Sequence, residues 1–586
     1  MKAKILALSA TFLCIAAAGT GLSFCREQSN AQWNTLVDEY LDKVYFPQNP
    51  TAATVAGIHR FDGQLEAYSK QEIAQQIQTL HQYEIQVEKF PAAGLNAVDT
   101  ADREILLGQI RSTLLTLVTL RPRENNPDVY SSGAANSVYV LMIRNFAPVE
   151  ERLGSVIARE KLVPAMIASA KDNLKNPPRI FTEIAIQQLP GTIGFFERDM
   201  PAAFAGAKDE MLRAEFAKSN AAVVAALKQY AAWLQKDVLP RSNGDFRLGA
   251  TNYSKKLLYD DMVSTPPDRL LEIGEADLHK NQAELRRIAE EINPQETPQQ
   301  VVAELETMHP APDKLMDTFR GTFDSLIAFI QAKHIISIPP GPKPMLMETP
   351  PFERATTTAS MDTPGPFETH ATESYFHVTL PAPGDSPADV ASLMAGFNVG
   401  TIITTSLHET YPGHYMQYLW TSRAPSKLRK VFYANTNVEG WAHYCEQMML
   451  DEGYGQPGTG AKDAREAKFI RLGQLQDALL RDARYVIGIR MHTGKMTVAE
   501  AKTFFVQEGF QSERIADIEA KRGTSDPTYL YYTLGKLQIL KLREDYKRKM
   551  GDAYSLGKFH DEFMSQGFPP IAVVRKAMLG DDAPTL

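Results

Sequence analysis

The sequence predicts a mainly α fold with one small β-sheet just ahead of a histidine-bearing helix. Two patterns lead to this reading: helical periodicity with end signals over most of the chain, and one proline-rich zone of β-prone residues between Ile335 and Asp389. A third observation, composition, makes a packed core possible. Of 586 residues, 44% are hydrophobic and 23% charged, too apolar for a structureless chain and long enough to bury a large core. The 62 basic and 70 acidic residues leave a formal charge of −8. No long Lys/Arg run is present to neutralise phosphates, so nucleic acid is not an expected partner.

The chain opens with MKAKILALSATFLCIAAAG, two lysines followed by an apolar stretch from Ile5 to about Ala18 that ends in small residues. This is the layout of a secretory signal peptide, and the apolar stretch falls short of the about 20 residues that a membrane span needs. Residues 1–25 are therefore expected to direct export. Leu22-Ser23-Phe24-Cys25 is similar to a bacterial lipobox, with Phe24 where that motif favours a small residue. Cleavage there would leave Cys25 as a lipidated N-terminus and the protein periplasmic or membrane-anchored. Of the three cysteines, Cys14, Cys25 and Cys445, processing would leave Cys445 alone. That excludes an internal disulfide framework and makes Cys445 a buried small apolar residue.

From Gln32 to Ala332 the pattern is helical. Apolar residues recur three and four apart in Asn220 to Val238, which stops before Leu239-Pro240. A second run opens with a capping Thr265 and proline in the first turn, then continues through Ile292 to Asn293-Pro294. Prolines then cluster around Ser374 to Leu380 (SYFHVTL), whose alternation marks a strand and whose proline flanks place it at a sheet edge. Helical pattern resumes at Ala388, with breaks at Asp451 to Gly460 and Gly523 to Pro527.

Chemistry concentrates in Leu407 to Gln417, LHETYPGHYMQ. Two imidazoles can bind zinc while an adjacent carboxylate handles the proton of a metal-bound water, which assigns His408 and His414 as ligands and Glu409 as general base. The spacing departs from the four residues of HExxH. Six residues carry His414 roughly 240° around an ideal helix from His408, so a straight helix cannot aim both at one ion. Pro412 and Gly413 lie between them, the residue types best suited to breaking or bulging a helix. Asn437 to Gln447, NVEGWAHYCEQ, supplies Glu439 as third ligand, 25 residues after His414. His443, one turn on, is the competing ligand, and Glu446, on the same face, is expected to hydrogen-bond a ligand.

HETYPGHYMQ followed by EGWAHYCE resembles the HExxPGHxxQ and EGWAxYxE motifs of the bacterial "domain of unknown function 885" family, whose members look like glutamate-zincin metallopeptidases. Pro50-Thr51-Ala52-Ala53-Thr54 with Gly57 and His59 is similar to that family's entry segment. Tyr532-Thr533-Leu534-Gly535-Lys536 and Phe559-His560-Asp561 resemble its C-terminal elements. The family's Asp-Thr-Gly-x-His segment is replaced here by Gly488-Ile489-Arg490-Met491-His492, which keeps the histidine and lacks the aspartate. The resemblance implies a large helical zincin-like fold with its sheet beside the active-site helix, one Zn²⁺ per chain, and hydrolysis of peptides. It further implies Tyr532 and His492 as candidate oxyanion donors, and an edge strand near Tyr375 to Leu380 to hold an extended substrate.

On this reading residues 26–335 form an N-terminal helical lobe and residues 336–586 a metal-binding catalytic lobe, together one structural domain. His370 and His377 are left outside the metal set. Arg481, Arg484 and Arg490, on one predicted helix, can bind a substrate carboxylate, although a solvated salt-bridged face is the simpler assignment. The alternatives are a noncatalytic zinc-stabilised protein that binds peptides or a partner, and a zinc hydrolase of nonpeptide amides or esters.

Overall fold

The computed structural model describes residues 28–349, 354, 357–382 and 384–586. The expected signal peptide and lipobox, Cys25 included, lie outside the described residues. The chain is mainly helical with one three-stranded sheet. Among the described residues no single helix is long and apolar enough to cross a membrane.

In the N-terminal half, α1 (Asp128–Met142), α2 (Val149–Asn173) and α3 (Glu210–Trp233) pack around one apolar core containing Leu153, Val156, Phe195 and Val223. The run expected from Asn220 begins earlier, because the Asp209 carboxylate caps α3 by accepting from the amides of Met211 and Leu212. Next come α4 (Gly249–Asp261) and α5 (Pro267–Ile292). Pro267 occupies the first turn of α5 as expected, but Pro266 is the cap residue and no side chain caps the helix. The Thr265 cap is thus not made. Proline's fixed φ and its missing N–H leave one fewer donor to satisfy. α6 (Leu315–Lys333) then leads into the sheet.

The sheet comprises β1 (Met345–Glu348), β2 (Ala359–Asp362) and β3 (Tyr375–Val378) in the order β1-β3-β2. β1 pairs parallel with β3, Met345 opposite Tyr375, and β2 pairs antiparallel, Ala359 opposite Val378. The SYFHVTL strand is therefore central, which corrects the expected edge position. Its flanking prolines end the ladder lengthwise, outside the paired residues, and so cost no cross-strand hydrogen bond. Phe376 and Val378 pack against Phe319, Phe323 and Phe397, leaving β2 as an edge beside the helix that follows.

The remaining helices are α7 (Val399–Glu409), α8 (His414–Thr421), α9 (Asn435–Asp451), α10 (Ala464–His492), α11 (Glu513–Ser525), α12 (Tyr531–Met550) and α13 (Leu556–Met564). Their packing crosses the division expected at residue 335. Leu278, Leu285 and Ile288 of α5 share a core with Phe469, Leu472 and Leu479 of α10. Leu428, Phe432 and Val573 complete a core built mainly from residues 33–117.

Candidate metal centre

α7 is capped by the Asn398 side chain, which accepts from the Thr401 amide, and it ends at Glu409. Thr410 leaves helical geometry at φ −111°, ψ −89°, and the chain re-enters a helix at His414. This break replaces the continuous helix that would have pointed the histidines apart. Gly413 packs directly on the His408 carbonyl, where any Cβ would overlap the oxygen, so only glycine lets the turn fold back this tightly. Trp441 of α9, fully buried, donates its indole N–H to the Pro412 carbonyl at 2.8 Å. The result is a pair of imidazoles 4.8 Å apart between centroids and nearly perpendicular.

α9 brings the third group. It lies against α12 through Gly440 facing Gly535, as α7 lies against α10 through Gly400 facing Gly473. Without side chains at these contacts, each ligand-bearing helix approaches its neighbour at backbone distance. Glu439 Oε2 then sits 3.4 Å from His408 Nε2 and 3.5 Å from His414 Nε2. One ligand atom from each of the three residues falls within 4.8 Å of the others. Zinc bonds of about 2.0–2.2 Å place two tetrahedral ligand atoms roughly 3.3–3.5 Å apart, so this donor set fits a zinc ion in both chemistry and spacing.

The opposite edge of each imidazole is already held. His408 Nδ1 donates to Glu446 Oε1 at 2.7 Å, and His414 Nδ1 donates to Gln417 Oε1 at 2.9 Å. Gln417 in turn donates to the Val438 carbonyl at 3.3 Å. Both rings therefore present Nε2 toward Glu439, the tautomer a metal requires. Glu446 is wholly buried and also meets Arg481 at 3.0 Å and His443 Nδ1 at 3.2 Å. His443 thus turns toward Glu446 and away from the ligand cluster. Its burial drives it down to about 3.

The electrostatics follow from this packing. Burial alone would lower His408, but hydrogen bonds to Glu439 and Glu446 prevail and raise it to about 10. Glu439, despite burial, is held well below the ordinary carboxylate range by the two imidazoles. Glu409 moves the other way: burial raises it, while His408, His414 and the Met361 amide of β2 pull against that rise. A carboxylate so placed feels the charge of the cluster and hydrogen-bonds the sheet edge.

Tyr532 stands at the start of α12 with its ring 6.5 Å from that of His408. Burial and the Glu439 charge raise its hydroxyl, and Arg484 and Arg522 oppose them. His492 is not brought to the cluster, which corrects its expected place. It lies eleven residues beyond Arg481 on α10, roughly 16 Å along a helix. Its Nε2 donates to the Gly523 carbonyl at 2.7 Å, and its ring packs beside Phe246 and Tyr253. His370 and His377 also stay outside the cluster. Of the three arginines singled out on α10, Arg481, paired with Glu446, and Arg484, paired with Glu519 at 2.7 and 2.8 Å, are largely buried and correct the solvated face expected there, while Arg490 makes a partly exposed pair with Glu275. Gln417, Trp441 and the Met361 amide were not singled out from sequence. Gln417 carried a signal, three residues after a ligand histidine and hence on the same helical face.

The C-terminal segments that resemble family elements prove to be supports. Tyr444, on the turn after Trp441, hydrogen-bonds His560 Nε2 at 2.9 Å, and His560 Nδ1 donates to the Ile335 carbonyl at 2.7 Å. Lys536 makes a buried ion pair with Asp277 at 2.8 Å.

Residues 50–578 match the family described as "Bacterial protein of unknown function (DUF885)", and the chain belongs to that family. No curated protein matches it. Among solved structures, a candidate lipoprotein of unknown function from Shewanella oneidensis is similar at 26% identity and a TM-score of 0.77, over 93% of this chain and 99% of that one. A candidate lipoprotein from Colwellia psychrerythraea shares the fold at 18% identity and a TM-score of 0.78, over 94% of this chain and 98% of that one.

Proposed function

We propose that this member of the family is an exported zinc-dependent hydrolase of peptide bonds, of zincin-like architecture. The observation that carries the reading is the convergence of His408, His414 and Glu439, with Glu439 Oε2 3.4 and 3.5 Å from the two Nε2 atoms, next to Glu409, which follows His408 in sequence. A purely structural site has no use for that fourth group. Zinc held by these three residues supplies a Lewis acid that acidifies water and polarises a carbonyl.

The chain's own groups do the rest. Glu409 takes a proton from water on its carboxylate and returns it to the departing amine. The Tyr532 hydroxyl donates to the oxyanion that develops on the carbonyl. Glu446 and Gln417 hold the imidazoles in the tautomer with Nε2 toward the ligand centre. β2 offers its free edge to an extended peptide, and the Met361 contact ties that edge to Glu409. Lipidation at Cys25 would place the enzyme at a membrane, a reading supported by the candidate lipoproteins that share its fold.

The test is release of products from a mixed peptide pool by zinc-loaded protein, followed by mass spectrometry. Glu409→Gln is expected to keep its metal and lose about 10²- to 10⁴-fold in rate. Equal rates in parent and variant contradict the assignment.

A further inference from the structure

Arg481 and Arg484 lie over the Tyr532 ring and Arg522 meets the adjoining Tyr531, and the three differ in how their guanidinium groups are engaged. Arg481 is engaged by Glu446 and its side chain is 14% exposed. Arg484 is engaged on two nitrogens by Glu519 and is 9% exposed. Arg522 of α11 is 37% exposed. Its contacts with Asp526 Oδ2 at 3.2 Å and the Tyr531 hydroxyl at 3.5 Å both use Nη2. Through Tyr531, whose ring is 4.8 Å from that of Tyr532, Arg522 neighbours the residue that faces His408.

A planar guanidinium whose Asp526 pair uses Nη2, partly exposed at the edge of a hydrolytic centre, matches a carboxylate, which such a fork binds through two parallel hydrogen bonds. Tyr531 and Tyr532 bridge it to the ligand histidines: Arg522 Nη2 is 3.5 Å from the Tyr531 hydroxyl, the two tyrosine rings are 4.8 Å apart, and the Tyr532 ring is 6.5 Å from that of His408. An extended residue spans about 3.3–3.6 Å. A carboxylate seated on Arg522 therefore brings to the cluster a peptide bond within a few residues of the end of the chain that carries it.

We infer that Arg522 is the anchor for the free C-terminal carboxylate of the substrate, making the protein an exopeptidase that acts from the C-terminal end of peptides. This rests on the hydrolase reading above. Hydrolysis breaks the C–N bond near that end, delivers the water's hydroxyl to the acyl carbon and its proton to the amine, and releases the short C-terminal fragment from Arg522.

The experiment compares N-acetyl-Ala-Phe-Ala as free acid and as C-terminal amide. Binding to zinc-loaded Glu409→Gln protein is followed by calorimetry, and cleavage by zinc-loaded parent protein by chromatography. The acid is expected to bind about 10- to 100-fold more tightly than the amide, the range of a charge-assisted hydrogen-bond pair. Adding Arg522→Gln should erase that preference, and Arg522→Lys should restore part of it. Equal binding of acid and amide, or a preference that survives Arg522→Gln, overturns the inference, and the acid/amide comparison itself needs no altered anchor. Cleavage of both peptides at equal rates overturns it while leaving the hydrolase reading intact. An Arg522-dependent preference in binding with no cleavage of either peptide overturns the hydrolase reading and leaves the carboxylate anchor standing.

Discussion

Two histidine–carboxylate clusters among the described residues differ in how their ring nitrogens are committed. In the N-terminal segment, His59 meets Asp62 through Nδ1 and Glu368 through Nε2, both at 3.0 Å, and stacks on Phe146 at 3.9 Å. Glu368 also accepts from the amides of Thr369 and His370, and Gly57, at φ +84°, lies against the backbone of Phe367 and Glu368. Both nitrogens are engaged, so His59 ties the entry segment to the loop after β2. His408 and His414 each commit Nδ1 to a partner of its own and turn Nε2 toward the same carboxylate. Histidine beside carboxylate is common to both places. Two Nε2 atoms converging on one shared carboxylate separate a candidate metal centre from a clamp.

The comparison is broken most severely by removing the convergence. His408→Ala/His414→Ala is expected to abolish metal binding and activity together, read by elemental analysis and peptide release. Gly413→Ala keeps every ligand atom but places a Cβ on the His408 carbonyl; it is expected to lose most bound zinc, and full occupancy would show that the turn has room to relax. Tyr532→Phe should keep the metal and lower kcat by about 10²- to 10³-fold, the usual loss for an oxyanion donor. Glu446→Gln should weaken zinc affinity by about 10- to 100-fold, measured by competition with a chelator.

The clamp should behave in the opposite sense. His59→Gln is expected to leave zinc stoichiometry unchanged and cost about 1–3 kcal/mol of stability. Burial lowers the His59 pKa, but hydrogen bonds to Asp62 and Glu368 outweigh it and the net shift is upward. A raised folded-state value means the charged clamp stabilises fully below the unfolded value of about 6.5 and is lost as pH rises through the folded one. The stability gap between parent and His59→Gln should therefore shrink as pH is raised above about 6.5; a gap that widens would contradict the ionic clamp.

Much of the candidate metal centre was legible because its residues are close in sequence and chemically distinctive. His408, Glu409 and His414 fall within seven residues, and the Pro-Gly pair between them signalled the helix break that their spacing demands. The helical character was legible for the same local reason. What escaped depends on contacts distant along the chain. Whether SYFHVTL is edge or centre is decided by partners at 345–348 and 359–362, which flanking prolines do not report. Arg481 and Arg484 looked like a solvated face because the carboxylates that bury them, Glu446 and Glu519, lie 35 residues away in either direction along the chain. His492 shares a helix with Arg481, and helix length alone carried it away from the centre. Arg522 offered no local pattern; its place beside Tyr532 is set by how α11 packs.

The account stands on the claim that a six-residue histidine spacing, broken by Pro412 and Gly413, makes one metal site with Glu439. Elemental analysis of the purified protein after zinc reconstitution and dialysis, run beside His408→Ala/His414→Ala, tests it most directly. About one zinc per chain in the parent and none in the variant is the predicted result. A parent that retains no metal after reconstitution would contradict the site, and the hydrolase reading with it.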